Sequence, residues 1–507
     1  MQTIPALLEA LANLFRPEVF LVVLAATIVS LIVGVLPAIS GGLCVIMLLP
    51  FLFGADPTLV MPILCALMAV SGLGGSITSV LTGIPGDNPN AATMLDGFAM
   101  TRKGEAGRSL GLALGTGVLS GVAGVLLSIP VIPLMAPILM ACKTPEMLLI
   151  IVLALLFLAV LTKGSRVKGL ISAGIGLTMA CVGSQAASGV ERLTFGNLYL
   201  YDGIETATVL MGILAVPTLL ELRAAGVSIA PPGSVAAGKL SEVWRGAKEV
   251  LLKHKLVWLR GTLLGYLVGI APALGSNTGV WIAYAQAKQA SKNPDEMGKG
   301  SPEGIVAPES ARGVCISADL LTTLVFGIPG SSIMVVFLAA FFMTGIQPGP
   351  MLVIQHTALA FEMLLSMALA TLIAAVICFF GAPLLVKITR VSPHYLFAFL
   401  LPLMVLGAYV TREYPMDIIA IGLTALLGLA IKRLGFSAPS IILGFVLGDL
   451  FERYMVRSVN LYGLGFFMSS PISIVLTALI IISVLWGPAK ALFVRLRGSK
   501  AALEGGA

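Results

Sequence analysis

Apolar runs of membrane-spanning length recur along the chain, separated by short polar turns. At roughly 20 residues per crossing, this pattern predicts an all-α polytopic membrane protein of about 12 transmembrane segments. The turns alternate in charge. Arg102 to Arg108, Lys163 to Lys168, Lys288 to Lys299, Lys432-Arg433 and the tail from Lys490 to Lys500 are basic and are expected in the cytoplasm. Gly54 to Pro57, the turn from Lys143 to Glu146, Glu191 to Glu205 and Thr344 to His356 are expected outside. The first apolar run carries no clear small-residue cleavage site and reads as an uncleaved span.

Gly and Pro interrupt this pattern at corresponding places in the two halves. The stretch from Gly34 through Pro37, Ala38, Ser40, Gly41 and Gly42, then Gly75 to Asp87 with Gly83-Ile84-Pro85-Gly86, is answered by Gly269 to Asn277 with Pro272 and Ala273. A second break, Gly327-Ile328-Pro329-Gly330-Ser331, completes the match. The polar stretch from Glu221 to Lys255 divides the copies, giving a first repeat at 1–221, a cytoplasmic linker at 222–255 and a second repeat with C-terminal spans at 256–507. The loop between the paired breaks is acidic in the first half (Asp56) and basic in the second (Lys288, Lys292, Lys299), so the repeats are expected to be inverted. Paired, broken membrane segments of this kind mark a binding site at the interface between repeats.

Composition narrows the chemistry. The 58% hydrophobic share, 11% charged share and mean hydropathy of +1.03 exclude an ordinary soluble domain, and the net charge of +7 lies in short loops, where it sets orientation. Six cysteines stand singly without a C-x-x-C, His254, His356 and His394 lack ligands at metal spacing, and no phosphate-binding loop is present. No cofactor is expected beyond a coupling ion. Gly107, Gly111 and Gly115, Gly117 with Gly121, and Gly444 with Gly448 read as faces for close helix packing.

An interrupted helix within a bilayer exposes peptide groups that only protein, water or ligand can satisfy. Helix N-termini suit carboxylates; free carbonyls and helix C-termini suit cations. The candidate substrate and ion site therefore comprises Ser40, Gly41, Gly42, Ser76, Thr78, Thr82, Gly83, Pro85, Gly86, Asp87 and Asn88, facing Ser276, Asn277, Thr278, Thr323, Gly327, Pro329, Gly330, Ser331 and Ser332. Asp87, where the second copy has Ser331, holds a cation or proton, or else caps the helix after Asn88-Pro89. Asp319 is either a functional carboxylate or a headgroup-level residue. Arg312 either meets a substrate carboxylate or pairs with Glu309 at the membrane edge.

These blocks resemble the large membrane subunit of the tripartite tricarboxylate transporters, the TctA-like proteins. The resemblance runs through Gly74-Gly75-Ser76-Ile77-Thr78, Ile84-Pro85-Gly86, Ala91-Ala92-Thr93, Asp96-Gly97, Lys103 to Arg108, Ala307-Pro308-Glu309, Gly327 to Ser331 and Gly345 to Pro350. It implies a permease of the bacterial inner membrane that works with a small membrane subunit (TctB-like) and a periplasmic solute-binding protein (TctC-like). Uptake would be of citrate or another carboxylate, driven by Na+ or H+. Pro37-Ala38 and Pro272-Ala273 stand where the family usually has Pro-Gly. Ser310-Ala311-Arg312-Gly313 replaces its usual Ala-Asn-Asn-Ala. The alternatives are a stand-alone carrier or channel and, without a nucleophile and base at membrane depth, much less a membrane enzyme.

Overall fold

Helix ends follow the punctuation of the sequence in the computed structural model, which describes residues 3–36, 41–52, 54–161, 165–185, 189–225, 239–272, 274–388 and 393–483. Ser40, Pro37, Ala38, Ala273, the Pro231-Pro232-Gly233 stretch and the basic tail lie outside the described residues, as does Lys163. In chain order the helices are α1 (Thr3–Leu14), α2 (Pro17–Val35), α3 (Gly41–Leu48), α4 (Pro57–Thr82), α5 (Asn90–Arg102), α6 (Ala106–Ser128) and α7 (Val131–Ala141). There follow α8 (Thr144–Leu161), α9 (Arg166–Ala180), α10 (Thr206–Leu210), α11 (Val216–Ala225), α12 (Leu240–Lys253), α13 (Lys255–Ile270) and α14 (Gly275–Ala290). The last are α15 (Glu303–Phe326), α16 (Ser332–Met343), α17 (Pro350–Gln355), α18 (Thr357–Ile388), α19 (Pro393–Arg412), α20 (Met416–Arg433) and α21 (Ala438–Tyr462).

The fold is all-α as expected, with one two-residue hairpin, Gly183–Ser184 against Glu191–Arg192, among the described residues. Among the described residues, four helices are long and apolar enough to cross a membrane, or five if the bent pair Ala438–Met468 and Pro471–Ser483 counts as one. The expected dozen is not reached by length and composition, because apolar helices such as α3 and α16 are cut short by their breaks.

Contacts group the chain into two units, Met1–Leu139 with Glu205–Ala430, and Met140–Ile204 with Ile431–Ala507. Each takes residues from both sides of the linker, so the units do not follow the division of the sequence into repeats. Within the second unit, α21 packs on α8 and α9. Gly444 and Gly448 bring its backbone against Ala173 and Ala180 of α9.

In the first unit two helices are buried almost from end to end, α4 and α15. They occupy corresponding places in the two halves. Helix α4 packs on α2, α5, α6 and α18, and α15 on α13, α14, α5 and α6. Asp56 starts α4 by accepting from the Thr58 backbone N–H at 2.9 Å, with Pro57 at the first helical position.

The expected linker contributes a docked helix. Amphipathic α12 lies on α6, with its Val243 and Ala247 over Gly111 and Gly115, and its own Gly246 over Arg108. Arg108 forks onto Glu249 through Nε and Nη2 at 2.8 and 2.7 Å, and Trp244 stacks on Phe379 of α18 with ring centroids 4.9 Å apart. The Arg108 hydrogen bonds hold the Glu249 carboxyl down at about 2. A carboxylate whose folded value is depressed stabilises the fold above its ordinary range and loses that contribution as pH falls toward the depressed value.

Stability followed by Trp244 fluorescence is therefore expected to be flat from neutrality to about pH 5 and to fall below it. In Glu249→Gln, thermal stability at neutral pH should drop by about 1 kcal/mol, the value of a partly exposed ion pair. That variant should also lose the acid-dependent part of the change, and an unaltered acid limb would show that Glu249 does not hold α12 in place.

Candidate functional site

Both buried helices end in the same way. Gly83 after α4 (φ +72°) and Gly327 after α15 (φ +69°) are left-handed C-caps, a conformation that costs glycine little and a β-substituted residue more. Beyond each cap the chain runs through Ile-Pro-Gly and doubles back onto the helix it has left. The Gly86 N–H then donates to Ser79 Oγ (3.3 Å), and the Gly330 N–H to Thr323 Oγ1 (3.4 Å). One residue earlier, Thr78 donates to the Val35 carbonyl at 2.8 Å and Thr322 to the Ile270 carbonyl at 3.1 Å, tying each buried helix to the last turn before the upstream break. A hydroxyl thus replaces the helical partner that the break removes. Both second glycines sit where a side chain has no room. A Cβ on Gly86 would collide with the Gly75 backbone, and one on Gly330 would lie 2.7 Å from Asp319 Cα.

The remaining predicted residues fall around these two junctions. Gly41 and Gly42 are buried at the start of α3, Gly41 against the Ser71 hydroxyl. Thr82 is buried and bonds the Thr78 carbonyl, Gly83 and Pro85 are half-buried, and Asn88 is exposed. Asp87 accepts from the Asn90 N–H at 3.2 Å, the capping arrangement. In the second half, Ser276 is buried in the first turn of α14, with Asn277 exposed and Thr278 half-buried. Pro329, Gly330 and Ser331 are buried and Ser332 is half-buried. Gly275, at the start of α14, lies against Ser331 and Asp319, so the upstream and downstream breaks of the second half meet. Across the halves, α3 packs on α16.

Arg312 bonds Glu309, as one of the two expected alternatives had it, through Nε at 3.0 Å and Nη2 at 2.7 Å, and both side chains are buried. Glu309 also accepts from Ser76 on α4 and Thr93 on α5, each at 2.8 Å. The Asn90 amide lies 2.8 Å from the same Ser76 hydroxyl and, in the orientation that satisfies both its ends, donates to Asp87. Glu309 therefore joins the first break to the buried helix of the second half. Arg312 in turn lines a small cavity with Leu73, Gly117, Gly121, Met367 and Thr371.

A second fastening lies nearby. Asp96 of α5 accepts the backbone N–H groups of Gly298, Gly300 and Ser301 at 2.7–3.0 Å and the Tyr284 hydroxyl at 2.9 Å. Sequence reading named Glu309 only as a partner for Arg312 and assigned no role to Thr93, Asn90 or Asp96. The available signal was an acidic residue inside an otherwise apolar run.

The family model of the tripartite tricarboxylate transporter TctA family matches residues 20–443. An uncharacterized 52.8 kDa protein from the TAR-I ttuC' 3' region of Agrobacterium vitis is 32% identical over 429 residues, covering 84% of each chain. A second uncharacterized protein, from the TAR-II ttuC' 3' region of the same organism, is 31% identical over 195 residues, 38% of this chain and 81% of its own. No solved structure matches.

Glu309→Gln leaves the Arg312 charge buried with a weakened partner. Its thermal unfolding in detergent should show a loss of about 3–5 kcal/mol, the cost of breaking a buried pair. Removing both charges in Glu309→Gln/Arg312→Met should recover part of that loss, and a double variant as unstable as the single one would show that the charge pair is not what is being broken.

Proposed function

This chain belongs to the tripartite tricarboxylate transporter TctA family, and on that premise we propose that it is the permease subunit of a binding-protein-dependent secondary transporter. It imports a carboxylate, citrate or another organic acid, across the bacterial inner membrane on a gradient of Na+ or H+. The observation that carries this reading is the pair of matched junctions. Each presents a left-handed glycine cap, a Pro-Gly turn and a hydroxyl in place of a helical partner. Such ends offer backbone donors and acceptors to a ligand without bulky side chains in the way.

In this reading the two repeats are inverted, and the first junction, Gly41-Gly42 with Gly83 to Asn88, faces the second, Ser276 to Thr278 with Gly327 to Ser332. Substrate carboxylates are met by N–H groups at the starts of α14 and α16, and by the hydroxyls of Ser276, Thr278 and Ser332. Arg312 is held by Glu309 and acts through the arrangement of helices rather than as a direct anion ligand. A small transmembrane subunit and a periplasmic binding protein complete the transporter, the latter delivering substrate to the outer face.

Proteoliposomes containing this chain, the small membrane protein and the binding protein encoded beside it should accumulate one of a panel of radiolabelled di- and tricarboxylates when a Na+ or pH gradient is imposed. Uptake without the binding protein would move the reading to a stand-alone carrier, and no uptake of any carboxylate would end it. Gly86→Leu and Gly330→Leu should each reduce uptake to the level of empty vesicles and, because the new side chain meets backbone, should also lower thermal stability in detergent. Normal transport by both would remove the junctions from the substrate path.

A further inference from the structure

The two junctions carry one carboxylate each, but from opposite sides. Gly75 on α4 corresponds to Asp319 on α15, since Ser79 bonds the Gly75 carbonyl as Thr323 bonds the Asp319 carbonyl. Beyond the breaks, Asp87 corresponds to Ser331. Each junction therefore pairs a carboxylate with a small residue, in reversed order.

Their surroundings differ more than their positions. Asp87 is half-buried and caps α5. Asp319 is 2% exposed, and one of its oxygens takes the Ser331 hydroxyl. The other, Oδ1, has no hydrogen-bond partner among the described residues. The carboxylate sits where the N-terminal ends of α14 and α16 converge, at Gly275 and Ser331. Among the described residues, no charged side chain faces it from the elements packed on α15. Helices α4, α16 and α17 carry none, while Arg260 on α13, Lys288 on α14 and Arg108 on α6 stand two or more turns along their helices from its level. Asp96 on α5 is bound to the loop before α15, Glu362 on α18 accepts from Asn13, and Lys387 is at the other end of α18. On α15 itself, Glu309 and Arg312 satisfy each other, and the Cys315 thiol, one turn back, donates to the Gly265 carbonyl.

The N-terminal ends of α14 and α16 offset part of the charge, and a free oxygen with no cationic side chain beside it leaves room for a small positive species from outside the chain. We propose that Asp319 is the binding site for the cation that drives transport, a single monovalent ion, H+ or Na+, taken up at the second junction alone. This rests on reading the chain as an ion-coupled carrier. The first junction differs, because Asp87 is less buried and is engaged by the Asn90 N–H as the cap of α5. The oxygen that meets the ion shares its carboxylate with the one that takes the hydroxyl of Ser331, the cap of α16, so loading the site changes the charge at the second break.

Dicyclohexylcarbodiimide, a membrane-permeant reagent for protonated carboxyl groups, tests the site without any substrate. The full-length protein, reconstituted in vesicles, is treated across a pH series with and without Na+, and the modified residues are located by mass spectrometry. Asp319 should be labelled, with Glu309 unlabelled as an internal control for a paired carboxylate. Labelling suppressed by Na+ at constant pH identifies Na+ as the occupant, and labelling that responds to pH alone identifies H+. An Asp319 that is unreactive throughout, or equally reactive in every condition, overturns the proposal. In Asp319→Asn, proteoliposomes with both partners should no longer accumulate labelled carboxylate on a gradient, while the protein still inserts and purifies. Gradient-driven accumulation at the wild-type level would also overturn it. Failure of the wild-type complex to take up any carboxylate would instead count against the carrier reading, and the labelling result is independent of it.

Discussion

A peptide group inside a bilayer has no water to fall back on, and leaving one unpaired costs several kcal/mol. The first unit depends on how that requirement is met where its two buried helices stop. Ser79 and Thr323 each bond the carbonyl four residues back and receive the N–H of the glycine seven residues ahead. One hydroxyl therefore closes both sides of a break. Because the hydroxyl has one proton and accepting lone pairs, it serves the two roles at once. The glycine that follows must come close to the helix backbone for this to work, which is why Gly86 and Gly330 stand where no Cβ fits.

The charged interior is built on the same economy of partners. Glu309 is surrounded by four donors from three helices, Ser76, Thr93 and the two nitrogens of Arg312. Buried pairs are weak sources of stability, but their directional bonds reject alternative registers. Here they fix where α4 and α5 lie against α15. Docking of α12 on α6 rests on different physics, glycine-lined backbone contact closed at its rim by Arg108 and Glu249.

Much of this was legible in the sequence. The breaks, their duplication and the small-residue faces are local patterns, and Gly111, Gly115, Gly444 and Gly448 do line helix contacts. The role of Glu309 was not legible, because its partners Ser76 and Thr93 are more than 200 positions away and nothing in local spacing points to them. The linker concealed a helix for a related reason. Its polar composition described the exposed face of α12, whereas Val243 and Gly246 on the other face meet Gly111 and Arg108 of α6. The compact units were equally hidden, since contiguity in sequence carries no information about which distant helices pack together.

Asp96 and Glu309 have a joint mechanical meaning. Asp96 grips the loop at Gly298 to Ser301 just before α15 begins, and Thr93, one turn earlier on α5, reaches Glu309 in its first turns. A single attachment would act as a pivot. Two attachments a turn apart brace α5 against pivoting on α15, so the bonds of Asp96 and Thr93 act together as a splint between the first break and the second half.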